Sequence, residues 1–444
     1  MGCIQDAFAD HSFDWVYLLE KKRWEPLRRL FEIRAETAKQ QHKESGNLPI
    51  HEMLKYPDMP FDIVQLCFNN YTGAALIENS VGELPFVIAI HNKLEVKRLQ
   101  MIIEANPAQV CSQRCKAVNE LPLHMLLKRQ KPINMVLFEL ILKSFRDATK
   151  QTDISGLIPL QLACKMNTNK KIIIALTEAY PAGAAETLPG FKSLVQWAFK
   201  TIKNLQDQME VISALIRADP TSASYVDKQG NLPIHYVCER ENTPLDFIRT
   251  VFRAYPKCLS IKDKDGNTPL HSAVETLSGN TVEQVVNMFL DESTKCAEIQ
   301  DKDGNMALHS ACQCRKPSSK VILRLIQANP EALKKRVKAH SKALTFFKPN
   351  PKALKKSDKE GNLPLHSALE LGDVIEPDVI KVMIDTYPGA VKIKDKEKNT
   401  PLHSAVENMR KFASAVVDML LKADPDEYAI KQRDKEGNLA IHSA

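Results

Sequence analysis

The sequence predicts an all-α solenoid of stacked helix-turn-helix repeats joined by short β-turn or hairpin loops, and three observations predict it. The first is recurrence. A phrase such as Asp263-Lys264-Asp265-Gly266-Asn267-Thr268-Pro269-Leu270-His271-Ser272-Ala273 returns, with fainter copies, from about residue 43 to the end. The second is spacing. With the proline as ruler, eleven copies fall at Pro49, Pro85, Pro122, Pro159, Ser193, Pro233, Pro269, Ala307, Pro364, Pro401 and Ala440, and the intervals run from 34 to 40 residues except one of 57. That is the size of one supersecondary unit stacking on its neighbours. The third is that each phrase passes from turn chemistry to residues that are apolar at helical intervals.

The elements follow in order. Asp-Lys-x-Gly-Asn is a turn: glycine tolerates positive φ, and the aspartate can bond its own backbone. In x-Pro-Leu-His-x-Ala, proline suits the first helical turn, where its missing N–H had no intrahelical partner anyway. Leucine and alanine then recur on the side that faces the stack. A second apolar helix follows, as in Val282-Glu283-Gln284-Val285-Val286-Asn287-Met288-Phe289-Leu290, and it closes on a small residue such as Cys258, Cys296, Ala353 or Ala390. In the faintest copy, Gly190-Phe191-Lys192-Ser193-Leu194-Val195-Gln196-Trp197-Ala198, Ser193 takes the place of proline.

Turn, T-P-L-H-x-A helix, second helix and return together resemble the ankyrin repeat. Thr268-Pro269-Leu270-His271-Ser272-Ala273 and Thr400-Pro401-Leu402-His403-Ser404-Ala405 match its signature, and Leu363-Pro364-Leu365-His366 and Leu232-Pro233-Ile234-His235 lie one conservative step away. The units are longer than the usual ~33 residues. Polar links such as Leu371-Gly372-Asp373-Val374-Ile375-Glu376-Pro377 replace the family's Gly-His between helices, and Tyr180-Pro181, Tyr255-Pro256, Asn329-Pro330 and Tyr387-Pro388 end the second helix. The expectation is a divergent branch with extended inter-helix loops.

Four segments are expected. Residues 1–42 form a degenerate N-terminal capping helix pair, 43–333 carry repeats, 334–357 are a basic insertion, and 358–444 carry further repeats with the last one truncated. Because the chain stops in the first turn of a helix, at Ile441-His442-Ser443-Ala444, it reads as a fragment of something longer.

Composition bounds the class. With 44% hydrophobic and 26% charged residues, the chain can bury a large core, and no apolar run approaches the length of a membrane span. Of ten cysteines, Cys164, Cys238 and Cys312 sit five residues past the motif proline or its equivalent, where other repeats have Val274, Leu369 and Val406. Cys111, Cys258 and Cys296 take the small-residue place before a turn. Buried thiols acting as small apolar residues are expected, in a reducing compartment. Cytoplasmic location follows, with nuclear entry as an alternative.

Eight of twelve histidines (His51, His124, His235, His271, His309, His366, His403, His442) are the motif histidine, whose role in the ankyrin family is to hydrogen-bond the turns of adjacent repeats. No nucleotide-loop, nucleophile-elbow or zincin motif is present, so no enzyme, cofactor or metal is expected. The Asp-Lys-Asp-Gly stretches at 263 and 301 lack the flanking ligands of a calcium loop, having Ile261 and Ile299 before them and Ser272 and Ser310 after.

Function is therefore expected on the surface of the stack. Ankyrin proteins commonly bind partners along the concave face, and the resemblance implies a non-enzymatic scaffold or adaptor, monomeric, for a protein partner whose identity the sequence does not give. Turn tips barely vary, pairing lysine with acid, as a solvated edge does. The sixth and seventh residues past the motif proline do vary. Early repeats give Lys55-Tyr56, His91-Asn92, Lys128-Arg129 and Lys165-Met166; late ones give Glu239-Arg240, Glu275-Thr276, Gln313-Cys314, Glu370-Leu371 and Glu407-Asn408. This predicts a face basic toward the N-terminus and acidic toward the C-terminus. A small-molecule substrate is not expected, and neither is nucleic acid as the main partner.

The 57-residue interval holds nine Lys or Arg and no acid between 334 and 356, so the formal +7 becomes −2 without that stretch. Lys334, Lys335, Arg336 and Lys338 are candidate anion contacts. An anion-directed module is one alternative function. The other is the recognition part of a longer signalling protein or enzyme whose effector lies past residue 444. Anchoring through lipid on Gly2 and Cys3 is not expected, because Asp6 replaces the preferred hydroxyl residue.

Overall fold

A computed structural model describes residues 14–443 apart from 44, 130–131, 315 and 329–353; the side chains of 129 and 443 also fall outside it. The chain divides into two compact units, Met1–Asp219 and Pro220–Ala444. Each is a stack of helix pairs. Among the described residues β-pairing is limited to single bridges, such as Gln300 with Met306 and Arg433 with Leu439, so the loops are turns and not strands. No helix among them is long and apolar enough to cross a membrane.

In Met1–Asp219 the helix pair expected near the N-terminus is present as Trp15–Glu20 and Trp24–Ile33. Asp14 starts it by accepting the Val16 N–H at 2.9 Å. Leu27 and Phe31 are buried at 0% and 1% exposure, and Trp24–Ile33 packs on the next second helix, Phe61–Asn70. The first helices that follow are Pro49–Met53, Pro85–His91, Pro122–Arg129, Pro159–Lys165 and Leu194–Thr201.

That last helix corrects the sequence reading by one residue. Ser193 is not the first helical residue but the N-cap, its hydroxyl accepting the Gln196 N–H at 3.2 Å. A serine oxygen satisfies an orphan N–H that proline at the next position would merely lack, so this copy runs one residue longer before its helix.

In Pro220–Ala444 the first helices are Pro233–Cys238, Pro269–Thr276, Ala307–Gln313, Pro364–Glu370 and Pro401–Asn408. The second helices are Leu245–Ala254, Gly279–Glu292, Ser319–Ile326, Pro377–Thr386 and Ala413–Lys422. Consecutive first helices touch, and so do consecutive second helices. After Tyr255 and Tyr387 the chain tightens into the 3-10 turns Pro256–Ser260 and Pro388–Lys392. Cys258 and Ala390 sit inside them, at 1% and 2% exposure. The small-residue requirement before each turn thus comes from a turn that packs inward.

The turn phrase is built as its chemistry dictates. Asp263 Oδ1 accepts the N–H groups of Asp265 and Asn267, both at 2.8 Å, and Asp301 repeats this with Asp303 and Asn305. Carboxylate oxygens are spent on orphan backbone donors. Successive tips then join through backbone bonds. Lys264 N–H donates to Gln229 O at 2.9 Å, Lys302 to Asp265 O at 3.2 Å, Lys359 to Asp303 O at 2.7 Å, Lys396 to Glu360 O at 2.8 Å and Lys435 to Glu397 O at 2.8 Å.

Motif histidines bond their own first turn, the next repeat, or both. Nδ1 of His235, His309 and His366 accepts the N–H three residues earlier, each at 3.1 Å. Nε2 of His51, His124, His271 and His309 donates to the carbonyls of Ile77, Gln151, Asn305 and Asn362, between 2.8 and 3.2 Å. This fixes the neutral tautomer with its proton on Nε2. Burial pulls these imidazoles below their ordinary value, His309 to about 4. Gln161 does the same job without a titratable ring: its Oε1 accepts the Ile158 N–H at 2.9 Å and its Nε2 donates to Thr187 O at 2.6 Å.

Candidate protein-interaction site

The residue six past the motif proline emerges at the end of each first helix, beside its own turn and the turn of the next repeat. In Met1–Asp219 this position is basic, and at Lys55, His91 and Lys128 it is internally engaged. Lys55, exposed, pairs with Glu52 at 2.8 Å, and His91 Nδ1 lies 3.3 Å from Glu83. Lys128 goes furthest. Its ammonium is 2.6 Å from Asp153 Oδ2, in the turn of the following repeat, and also contacts Glu120 in its own turn; the two carboxylates are 0% and 5% exposed. Burial alone would lower the Lys128 ammonium, but Asp153 and Glu120 outweigh it and hold it above the ordinary range. Burial likewise raises Asp153, and Lys128 with two backbone N–H groups reverses that.

Lys128 is thus half-buried inside an ion triad. Its neighbour Arg129 has its side chain outside the described residues. Tyr56 is half-buried, its ring edge-on to Trp24, its carbonyl accepting from Arg98 at 3.3 Å. Lys165 is exposed and Met166 intermediate.

In Pro220–Ala444 the same position carries Glu239, Glu275, Gln313, Glu370 and Glu407, all exposed. Arg240 beside Glu239 is half-buried. Here like charges meet. Burial, then Asp263 and Asp227, push the Glu239 carboxyl up against the opposing effect of Arg240. Glu275 is pushed up by burial and by Asp301 and Asp263, against the opposing effect of the Ser310 hydroxyl. Glu370 rises through burial and through Asp358, Asp395 and Glu407. Among the described residues no ion pair forms at Glu239, Glu275 or Glu370.

The other wall of the position differs in the same sense. Two residues before the motif proline, Glu83 and Glu120 provide the acid that His91 and Lys128 meet. The corresponding Asn231, Asn305 and Asn362 each have a buried Oδ1 that accepts no hydrogen bond.

Sequence reasoning missed these partners of the variable position. A signal existed, in that the turn aspartate lies twelve residues before each late glutamate and Glu120 lies eight before Lys128. It also missed Arg98, 2% exposed, whose guanidinium donates to the carbonyls of Tyr56, Pro57 and Met59 and pins the inter-helix link of the preceding repeat.

The anion candidates Lys334, Lys335, Arg336 and Lys338 lie outside the described residues, as do Gly2 and Cys3. Where the chain re-enters, Leu354 is buried, Lys355 stands 5.3 Å over the Tyr387 ring, and Lys356 donates to Glu298 O at 2.9 Å. The motif thiols behave as core. Burial raises Cys258 and Cys296 to about 12 and Cys164, Cys238 and Cys312 further. Such groups are unreactive.

No protein-family model and no curated protein matches the chain. Among solved structures it is similar to the crystal structure of the ankyrin repeat domain of Bcl-3, described as a unique member of the IkappaB protein family. The identity is 20%, over 60% of this chain and 98% of that chain, with a TM-score of 0.39.

Proposed function

We propose that this chain is a non-enzymatic protein-binding scaffold that holds its partner along the concave face, at the ends of the first helices, with Pro220–Ala444 supplying the main contact. The observation that carries this is the row of Glu239, Glu275 and Glu370, each exposed, crowded by turn carboxylates and without an ion pair among the described residues. Holding like charges together costs stability, and a complementary partner recovers that cost on binding. The basic position of Met1–Asp219 contributes less, since Lys55 and Lys128 already have carboxylate partners; Lys165 is its accessible member.

The test is affinity capture from a cell extract with the full chain and with a Glu239→Lys, Glu275→Lys, Glu370→Lys variant of intact fold. A discrete protein retained by the parent and lost by the variant supports the reading. Equal retention by both moves the contact elsewhere on the stack, and absence of any retained protein removes the scaffold function.

A further inference from the structure

Within this one chain the same structural position exists in a filled and an unfilled form. At Lys128 it is filled: an ammonium bridges Asp153 of the next turn and Glu120 of its own. At Glu239, Glu275 and Glu370 the lysine is replaced by glutamate, so carboxylates face the turn aspartates Asp227, Asp263, Asp301, Asp358 and Asp395. The wall equivalent to Glu120 becomes asparagine, and the Oδ1 of Asn231 beside Glu239 and of Asn362 beside Glu370 is a buried acceptor without a donor, as is that of Asn305 beside Gln313. Carboxylates and amide oxygens converge on places where the chain elsewhere puts an ammonium.

We propose that the partner supplies that ammonium: an extended, basic protein segment lays a lysine or arginine head into each of the slots at Glu239, Glu275 and Glu370, as Lys128 fills its own. This rests on the reading of the first-helix ends as the partner surface. The stack also sets the pattern. Packed helices lie about 8–10 Å apart, and an extended chain advances about 3.3 Å per residue. A cation at every third residue therefore keeps step with the repeats. Gln313 makes the slot between Glu275 and Glu370 neutral, so the residue opposite it need not be charged. Turn-tip lysines such as Lys264 and Lys302 follow the turn aspartates Asp263 and Asp301 in sequence, and their charge disfavours a densely basic segment.

The probe is a fluorescein-labelled peptide of glycine and serine with three lysines, placed at every third residue over four successive places except the one opposite Gln313. A second peptide has the same composition with its lysines in one block. Fluorescence anisotropy with the full chain at near-physiological salt is expected to show the spaced peptide binding about tenfold tighter. Glu275→Lys with Glu370→Lys should abolish that preference while its melting temperature stays at or above the parent's. Equal binding of the two peptides, or binding unaffected by the double substitution, overturns the proposal. So does a deletion of 334–353 that by itself tightens the spaced peptide about tenfold, because the chain's own basic insert then occupies the slots. A natural partner captured equally well by the double variant leaves the scaffold reading standing and overturns this one alone.

Discussion

A Cβ added to Gly266 would lie 2.5 Å from the backbone nitrogen of Lys302, in the turn of the next repeat. Gly266 also has φ +86°, which side chains rarely adopt. The glycine is therefore required twice, once by its own turn and once by the tip stacked against it.

Gly266→Ala is expected to lower stability by clearly more than Gly437→Ala. Gly437 has φ +91° but open space around its missing Cβ, so its substitution carries only the backbone cost of about 1–2 kcal/mol. Urea unfolding of both variants measures the difference. Equal losses would mean the close approach to Lys302 relaxes freely.

Exchanging the two forms of the variable position should move stability in opposite directions. Glu275→Lys places an ammonium between Asp263 and Asp301, where carboxylates now crowd, and should raise the melting temperature. Lys128→Glu puts a third carboxylate beside Asp153 and Glu120 and should cost about 3 kcal/mol or more, as breaking a buried pair does. A stabilised Lys128→Glu protein would contradict the triad.

The histidines set an acid limit. Their folded values lie below the unfolded one, so the unfolded chain binds more protons between the two. Stability is complete above pH ~6.5 and is lost as pH falls toward about 4, with His309 alone contributing about 3 kcal/mol. Glu239, Glu275 and Glu370 act oppositely, because their raised values mean that the folded state gains protons first and acid relieves their repulsion. The histidines outnumber them and are more deeply buried. Unfolding midpoints in urea should fall between pH 7.5 and pH 5, and His309→Gln, copying Gln161, should flatten the fall. A midpoint constant across that range would reject the neutral-imidazole assignment.

Arg98→Met should loosen the link at Tyr56–Met59 while leaving the helices in place. The guanidinium holds three carbonyls there, those of Tyr56, Pro57 and Met59. Hydrogen exchange at residues 56–59 is the measurement, and unchanged protection would mean that packing alone holds the link.

The repeat was legible because its parts act locally. Proline, glycine, aspartate and histidine satisfy backbone groups within a few residues, and such spacing survives in a string of letters. Ser193 shows the limit: a cap and a first helical residue are neighbours, and only geometry separates them. The variable position was legible as variable. What could not be read was whom each side chain meets. Lys128 read as accessible charge because its partner Asp153 lies in the next repeat, and Arg98 was passed over because three carbonyls leave no sequence signature.

The interval of 57 residues has one consequence that concerns the chain as material. Across it, Lys359 N–H still reaches Asp303 O at 2.7 Å and His309 Nε2 still reaches Asn362 O at 3.2 Å, the same contacts that repeats of ordinary length make. The two repeats dock as though the additional residues were not there. Closing a longer loop adds only about 0.6 kcal/mol for each doubling of its length. Docking of these two repeats thus does not depend on the interval between them keeping the length of the others.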